Sequence, residues 1–286
     1  MAEPHVSLLS DSTRESWSTP GAPRPLRTTT WIPDVTGRRP LVLLSHGTGG
    51  AIEDLAWLAE PLRDAGFLVA GVDHHGNSYQ DEHLARGFAS PWERPRDLTV
   101  LLDYLLATQS VDGDRIGAAG FSLGGYTVAG LLGARLNPHV LAGILEGWIP
   151  SPPLPEFPDF LDILRADNTS EELAAILADS AAEVRDQRVR AGFMMAPAIG
   201  ALLDPESLAR VTAPARIVWG DADDNSPAES NAAVYLGGMA NATGHSVGQT
   251  TGHYDFLGSE EVGEAMRAAV AREALEFLSE ALGVIR

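Results

Sequence analysis

Short apolar runs alternate with segments of helical period along most of the chain. Seven runs have the length and composition of strands, at 26–33, 41–44, 67–72, 115–119, 191–196, 215–219 and 241–247. Apolar residues at helical spacing predict helices at 52–64, 96–108, 126–136 and 260–282. This alternation predicts a single α/β domain over residues 1–286, with a mostly parallel central sheet that is flanked by helices.

The alternation breaks between residues 143 and 188. This segment has no good strand pattern, but it contains five prolines between 150 and 158 and two helical stretches, one of which begins at Thr169-Ser170-Glu171-Glu172. An insertion at this point of an α/β chain has to lie near the strand ends. We therefore predict that residues 143–188 form a helical lid over one end of the sheet. The alternative is a connector that packs on its side.

Composition narrows the chemistry that is open to this domain. The chain has 20 basic and 39 acidic residues, a formal charge of −19, and neither lysine nor cysteine. These absences exclude a Schiff-base lysine, a cysteine nucleophile and a zinc–cysteine site. Serine or threonine is therefore the expected covalent nucleophile. The acidic balance argues against nucleic acid and anionic membrane as partners. No signal peptide or membrane-spanning run is recognisable, so a cytoplasmic location is expected.

A serine stands in the turn between the fourth predicted strand and the next helix. The sequence Gly120-Phe121-Ser122-Leu123-Gly124 matches the G-x-S-x-G pattern of a nucleophile elbow. In that setting the serine is held on a strained turn with its Oγ exposed, and the flanking glycines let neighbouring chain pass closely. Ser122 is therefore the predicted nucleophile, and the α/β-hydrolase fold is the predicted fold.

A serine that attacks a carbonyl also needs N–H donors for the oxyanion that forms. One donor is expected from the residue after the nucleophile, Leu123. The other is expected from the loop after an earlier strand, where the sequence is Ser45-His46-Gly47-Thr48-Gly49-Gly50. By its position in that loop Thr48 is the predicted second donor. His46 is then expected to hydrogen-bond within the loop.

Three histidines follow Ser122 and are candidates for the general base. In α/β-hydrolases the acid comes after the serine and the histidine comes last. His253 lies in a short loop before the final helix, where Gly252 lets the ring reach over the sheet end. His139 lies too early in the chain, and His245 lies within the last predicted strand. His253 is therefore the predicted base.

The loop after the penultimate predicted strand holds three carboxylates, at Asp221, Asp223 and Asp224. Asp223 is the predicted acid because it stands two residues after the turn, where the chain has reversed and the side chain can point back. Asp221 and Asp224 are the alternatives, since aspartate is also common in turns for its own hydrogen bonds. Glu146 is a further alternative that could reach in from the predicted lid.

Two other patterns suggest a cofactor or a metal. Gly47, Gly49 and Gly50, followed by Asp73 at the end of the next strand, form a partial dinucleotide-binding fingerprint, but Ile52 stands where a small residue is required. Three histidines, His74, His75 and His83, have no ligand-rich cluster beside them and are expected to form loop structure or a polar pocket wall. We therefore expect neither a cofactor nor a metal.

Five segments in unbroken order resemble one family. They are 44–50, 72–77, 94–97, 120–125 and 252–257. Together they resemble the bacterial α/β-hydrolases known as predicted dienelactone hydrolases, which are close to the platelet-activating-factor acetylhydrolases and more distant from cutinase-like polyester hydrolases. This resemblance implies a Ser/Asp/His carboxylic-ester hydrolase whose site residues are Ser122, Asp223, His253, Thr48 and Leu123.

The sequence thus predicts a serine hydrolase that cleaves a carboxylic ester of a small or medium, partly apolar substrate through an acyl-enzyme on Ser122. The expected partner is a small-molecule ester, and the oligomeric state is left open. Four aromatic residues are predicted to line an apolar pocket beneath the lid, with core packing as the alternative: Trp92, Trp148, Phe157 and Phe160. The same triad could act on an amide, lactone or thioester. An α/β-hydrolase fold that binds or tailors a ligand without hydrolysis is the alternative of a different class.

Overall fold

The computed structural model describes residues 3–152, 154–258 and 263–284, and in them eight strands form one sheet in the order β1-β2-β4-β3-β5-β6-β7-β8. The strands are β1 His5–Glu15, β2 Pro23–Trp31, β3 Arg39–Ser45, β4 Leu68–Asp73, β5 Val111–Phe121, β6 Val189–Met195, β7 Ala215–Trp219 and β8 Ala242–Ser246. β2 is antiparallel to both β1 and β4, and all the other pairs are parallel. The predicted mostly parallel sheet is confirmed.

Helices cover both faces of this sheet. In the described residues the α-helices are α1 Ala56–Asp64, α2 Ala85–Ala89, α3 Glu93–Thr108, α4 Leu123–Leu132, α5 Pro138–Glu146, α6 Phe160–Asp167, α7 Ser170–Asp179, α8 Pro205–Ala209, α9 Ala232–Gly238 and α10 Glu264–Ala281. Along β3, Leu41 and Leu43 enter one apolar cluster with α3 and α4, whereas Val42 and Leu44 enter a second cluster with α1 and α10. This alternation is the two-residue period of a strand that is buried on both faces.

The observed elements follow the sequence prediction with shifts of a few residues at their ends. The helix predicted at 52–64 begins as a 3₁₀ turn, Ile52–Leu55, and continues as α1. The helix predicted at 126–136 begins three residues earlier, directly after Ser122. The helix predicted at 260–282 corresponds to α10, and positions 259–262 lie outside the described residues.

The sequence pattern does not predict the edge strand β1. Two of the apolar residues in its first half, Val6 and Leu8, face solvent, Leu8 at 70% exposure. The strand is instead fixed by its pairing with β2 and by Arg14, whose guanidinium lies 2.7 Å from carboxylate oxygens of both Glu93 and Asp97. These ion pairs join distant parts of the chain, and no local period could reveal them.

Residues 143–188 include the end of α5 and the whole of α6 and α7. The predicted helix start at Thr169 is present: its Oγ accepts the Glu172 N–H at 3.2 Å, and the Glu172 carboxylate accepts the Thr169 N–H at 2.7 Å. Of the five prolines, Pro153 lies outside the described residues. The assignment of this segment as a lid stays a prediction.

Among the described residues, no helix combines the length and the apolar character that crossing a membrane requires.

Candidate active site

Ser122 occupies a strained turn at the carboxyl edge of the sheet. β5 ends at Phe121 and α4 begins at Leu123, so the serine between them has φ 55° and ψ −120°, a conformation that residues other than glycine rarely adopt. Its N–H donates to the Met195 carbonyl at 2.9 Å, and its carbonyl accepts the Ala198 N–H at 3.1 Å. Hydrogen bonds from the neighbouring strand and its loop therefore hold the turn in place.

The two glycines of the elbow are required by close packing. A Cβ on Gly120 would collide with the carbonyl of Gly124, and a Cβ on Gly124 would collide with the carbonyl of Ser45 at the end of β3. The elbow can therefore sit against the oxyanion loop, residues 45–50, only because both positions lack a side chain.

The strain of this turn gives a testable stability difference. We expect Ser122→Gly to have a higher free energy of unfolding than Ser122→Ala by about 1 kcal/mol, because glycine adopts φ 55° without a Cβ clash. Both variants lack the hydroxyl, so the difference isolates the backbone. Urea unfolding of both variants measures it. As a control, the same pair at Ser207 in α8 should favour alanine. An alanine variant as stable as the glycine variant at position 122 would show that the turn is unstrained.

Ser122, His253 and Asp223 form a continuous hydrogen-bonded chain. The His253 Nε2 lies 2.9 Å from the Ser122 Oγ, and its Nδ1 lies 2.7 Å from the Asp223 Oδ2. A carboxylate only accepts, so Nδ1 carries the proton and Nε2 can accept the serine proton. All three residues are at most 5% exposed. The geometry is that of a nucleophile, a base and an orienting acid.

The acid position is held by the loop after β7. Asp223 turns inward at 4% exposure, and its Oδ1 accepts the N–H groups of Asn225 at 3.0 Å and Ser226 at 2.6 Å. Its second oxygen is therefore fixed toward His253. Asp221 and Asp224, the neighbouring carboxylates, are exposed to solvent.

The remaining alternatives lie apart from Ser122. Glu146, at the end of α5, is exposed and accepts the Trp148 Nε1–H at 2.8 Å. His139 is exposed, and His245 is half exposed with its Nε2 3.5 Å from a Glu273 carboxylate oxygen. The structure thus brings together the three residues preferred from the sequence and none of these alternatives.

The predicted oxyanion donors flank the same position. Leu123 is the first residue of α4, so its N–H has no acceptor within the helix. Thr48 lines the cavity that also contains Ser122 and Leu123. The neighbouring Gly49 N–H is not available, because it donates to the Asn77 Oδ1 at 2.9 Å. This arrangement is compatible with Thr48 and Leu123 as the two donors.

A cavity of about 420 Å³ opens beside Ser122. It falls within the usual range of small-molecule sites, roughly 300–1,000 Å³. Its lining is mostly apolar and comes from several elements, among them Phe88, Trp92, Leu123, Leu141, Ile144, Leu145, Leu154, Phe160, Leu161, Ile176, Leu177, Ile199 and Leu202. Glu156 and Asp224 are its charged lining residues, and both are acidic.

Two of the four predicted pocket aromatics line this cavity. Trp92 and Phe160 do so. Trp148 does not: it follows Gly147, which caps the C-terminus of α5 with φ 83°, and its indole is 63% exposed. Phe157 is also absent from the lining, and its ring packs edge-on against Phe88, with 5.0 Å between the ring centres. The structure therefore does not place Trp148 and Phe157 in the wall of this cavity.

The residues that the sequence interpretation missed supply most of the cavity wall. Phe88, Ile144, Leu145 and Ile199 come from three separate parts of the chain. The apolar side of α5 and the run after β6 are visible as patterns, but apolar residues at such spacing more often pack in a core. No local signal distinguishes a cavity wall from a core.

The imidazoles of His46, within the oxyanion loop, and of His74 are held by hydrogen bonds inside the protein. His46 Nε2 accepts the His74 backbone N–H at 3.0 Å, and its Nδ1 lies 2.6 Å from the Gly47 carbonyl. The His74 ring bridges Ser45 and Asp97 at 2.9 and 2.8 Å. Burial, reinforced by the Arg94 charge, lowers the pKa of both imidazoles well below the ordinary histidine value, so both are neutral.

The side chains behind the cofactor and metal patterns make structural contacts within the protein. Asp73 accepts the Ile52 N–H at 2.8 Å and forms an ion pair with Arg27, so its carboxylate is already engaged. His75 lies 2.9 Å from an Asp81 oxygen, and His83 packs edge-on against Phe88. No group of three or more histidine, aspartate or glutamate side chains in the described parts of the chain could hold a metal ion.

The fold and the elbow define the class of the protein as an α/β-hydrolase-fold serine hydrolase. Residues 53–141 match the prolyl oligopeptidase family. This match contains the elbow but ends before Asp223 and His253. A curated relative, the uncharacterised protein YcjY of Escherichia coli (strain K12), is 37% identical over 98 residues, which are 33% of this chain and 31% of the relative. The aligned part thus spans about a third of that protein.

Solved structures match over nearly the whole chain. A ferulic acid esterase from Streptomyces cinnamoneus is 18% identical with a TM-score of 0.64, covering 96% of this chain and 88% of its own. The 2,6-dihydroxy-pseudo-oxynicotine hydrolase is 16% identical with a TM-score of 0.58, covering 98% of this chain and 68% of its own. At these identities the likeness establishes the fold, and the predicted α/β-hydrolase fold is confirmed.

Proposed function

We propose that the protein is a carboxylic-ester hydrolase that forms an acyl-enzyme on Ser122. The observation that carries this proposal is the hydrogen-bonded chain from the Ser122 Oγ through His253 to Asp223, at 2.9 and 2.7 Å, beside an apolar cavity. The resemblance to predicted dienelactone hydrolases and platelet-activating-factor acetylhydrolases belongs to the same proposal, and it supports an ester as the substrate.

In the proposed mechanism the Ser122 Oγ attacks the ester carbonyl while His253 Nε2 takes its proton. Asp223 holds the ring and stabilises the imidazolium that forms. The N–H groups of Thr48 and Leu123 stabilise the oxyanion of the tetrahedral intermediate. His253 then gives its proton to the leaving alcohol, and water repeats the sequence to release the acid. Every group needed is supplied by the chain, so the proposal includes no cofactor.

The lining of the cavity supports the proposal that the substrate is neutral and partly apolar. Its wall offers apolar contacts, and its two charged residues, Glu156 and Asp224, would repel a carboxylate. Residues 143–188 supply much of the wall, which supports the proposal that this segment acts as a lid. The proposed partner is accordingly a small-molecule ester, with no role for nucleic acid or a membrane.

A series of p-nitrophenyl esters tests this proposal. From acetate upward we expect kcat/KM to rise about threefold to fourfold per methylene until the cavity is filled, since each buried CH₂ contributes roughly 0.8 kcal/mol. The hemisuccinate should react about 100-fold more slowly than the similar-sized butanoate, because its carboxylate would have to be buried in an apolar site. The butanoate is the matched control. If no ester from acetate to decanoate turns over, the ester assignment is wrong.

Cleavage of an amide is the second candidate, and the match of residues 53–141 to the prolyl oligopeptidase family favours it. The same serine, histidine and aspartate can attack an amide carbonyl. A matched pair, an acyl p-nitroanilide and the p-nitrophenyl ester of the same acid, separates the two candidates. A higher kcat/KM for the anilide would make the peptidase assignment the better one.

Fluorophosphonate labelling separates a hydrolase from a binding protein of the same fold. We expect one equivalent of label on Ser122, because an activated serine hydroxyl displaces fluoride whether or not the natural substrate is known. Ser122→Ala should take up no label, and Ser207→Ala should label fully. An unlabelled wild-type protein that binds apolar ligands tightly would favour a binding role instead.

A further inference from the structure

Arg94 is a buried cation that the proposed mechanism does not use. It lies in the first turn of α3 and is 2% exposed, below the oxyanion loop. Burial lowers the pKa of its guanidinium, and the Asp97 charge opposes that shift. A charge at such a position is costly unless hydrogen bonds satisfy it from several sides. The hydrogen-bond partners of Arg94 therefore indicate its role.

The guanidinium reaches both walls of the proposed oxyanion hole. Nη2 donates to the His46 carbonyl and, at 3.4 Å, to the Ser45 Oγ, so it holds the start of the oxyanion loop. Nε donates to the Thr127 Oγ1 at 3.3 Å. The Thr127 hydroxyl in turn donates to the Leu123 carbonyl at 3.1 Å, within the first turn of α4.

Asn77 extends this network to the other end of the loop. Its Oδ1 accepts the Arg94 Nη1–H at 3.1 Å and the Gly49 N–H at 2.9 Å, and its Nδ2 donates to the Gly87 carbonyl at 3.1 Å. The Gly49 carbonyl accepts the Tyr79 N–H at 3.1 Å. Both polar groups of Gly49 are thus hydrogen-bonded, which fixes the peptide plane between Thr48 and Gly49 and limits the conformation of Thr48.

The loop conformation makes this support necessary. Gly49 has φ +65°, and a Cβ there would lie 3.0 Å from the Glu156 Cβ, so a side chain at this position would be strained. A glycine-rich loop has many accessible conformations unless its polar groups are bonded. If the Gly49 N–H were released from Asn77, it could turn toward the cavity and displace the Thr48 N–H.

We propose that Arg94 and Asn77 are positioning residues that fix the two oxyanion donors relative to each other. Asn77 engages the Gly49 N–H, which leaves that of Thr48 for the substrate oxygen, and Arg94 ties the loop to the turn that carries Leu123. This inference rests on the proposed function. It also gives a role to Arg94 and Asn77, which lie in two of the segments, 72–77 and 94–97, that carry the family resemblance.

The test compares Asn77→Ala with Ser207→Ala. Each substitution removes a buried side chain whose oxygen accepts a backbone N–H. In the control, the Ser207 Oγ accepts the Arg135 N–H at 2.8 Å, and this residue lies in α8, outside the cavity lining. Active sites are counted by fluorophosphonate stoichiometry, so unfolded protein does not enter kcat. Hydrogen exchange of a peptide covering residues 45–50 reports on the loop without requiring activity.

For Asn77→Ala we expect faster exchange in the 45–50 peptide and a kcat per labelled site lower by about 10- to 100-fold, less than the roughly 10²–10³ for the outright loss of an oxyanion donor. KM should change less than about threefold, and the Ki of an alkyl boronic acid, which mimics the tetrahedral intermediate on Ser122, should rise with the fall in kcat/KM. Ser207→Ala should leave all of these unchanged even where its Tm falls.

Arg94→Lys is the second variant, because it keeps the charge but cannot make four directed hydrogen bonds at once. It should share the kcat and Ki defects of Asn77→Ala. Unchanged exchange at 45–50 in Asn77→Ala overturns the proposal whatever the activity, and so does changed exchange with unaltered kcat and Ki. A wild-type protein that cleaves no ester would contradict the proposed function. The positioning role would then be tested by hydrogen exchange of the 45–50 peptide and by binding of the boronic acid.

Discussion

Ser122→Ala is expected to lower the kcat for ester hydrolysis by about 10⁴- to 10⁶-fold, because removing the nucleophile leaves only the oxyanion donors and substrate binding. The backbone at this position is strained with either side chain, so the fold should be unchanged. The cavity is also unchanged, and the Kd of a non-hydrolysable apolar ester analogue should stay within about threefold of that of the wild-type protein. Steady-state kinetics and calorimetric titration measure the two quantities.

The control for this variant is Ser207→Ala, which removes a buried hydroxyl outside the cavity. It should retain full kcat. If Ser122→Ala kept more than about a hundredth of the wild-type kcat, the acyl-enzyme would have to form elsewhere or not at all. Mass spectrometry of the enzyme quenched during turnover of a slow ester would then be expected to show no adduct on the elbow peptide.

Asp223→Asn is expected to lower kcat by about 10³- to 10⁴-fold with little loss of stability. The asparagine Oδ1 can still accept the N–H groups of Asn225 and Ser226, so the loop keeps its shape. Its Nδ2, however, is a donor that faces His253 Nδ1. The imidazole must then carry its proton on Nε2, so this nitrogen can no longer accept the serine proton.

The alternatives raised by the sequence serve as controls for this second prediction. Asp221→Asn and Glu146→Gln change exposed carboxylates that lie outside the hydrogen-bonded chain of Ser122, His253 and Asp223, and each should keep kcat within about twofold. Single-turnover kinetics with the butanoate ester would place the defect of Asp223→Asn in acylation. If Asp221→Asn lowered kcat as much as Asp223→Asn, Asp221 would have to be assigned as the acid instead.

The elbow was predictable from sequence because its constraints are local. Three features lie within a few residues of each other: a buried strand, glycines on both sides of a serine, and an apolar helix. His253 was predictable for a related reason, since the order of the chain limits which histidine can reach the end of the sheet. The sequence distinguishes less well among the three aspartates. What distinguishes Asp223 is the direction of two backbone N–H groups, which composition does not encode.

The features that the sequence does not reveal depend on long-range contacts or on fine backbone geometry. Trp148 fits an apolar pocket by residue type, but it follows the left-handed Gly147 and its side chain is 63% exposed. The edge strand β1 depends on the ion pairs of Arg14 with residues of α3. The network around Arg94 joins the ends of two strands and two helices, so the sequence shows it only as part of a resemblance.

The proposed catalytic residues and much of the cavity wall come from different parts of the chain, and this separation affects how related proteins can diverge. Ser122, Asp223 and His253 stand on loops that leave the carboxyl edge of the sheet, whereas one continuous segment, 143–188, provides much of the cavity wall. Mutations, insertions or exchange of that segment are expected to alter which molecule fits without disturbing the three residues that are proposed to react.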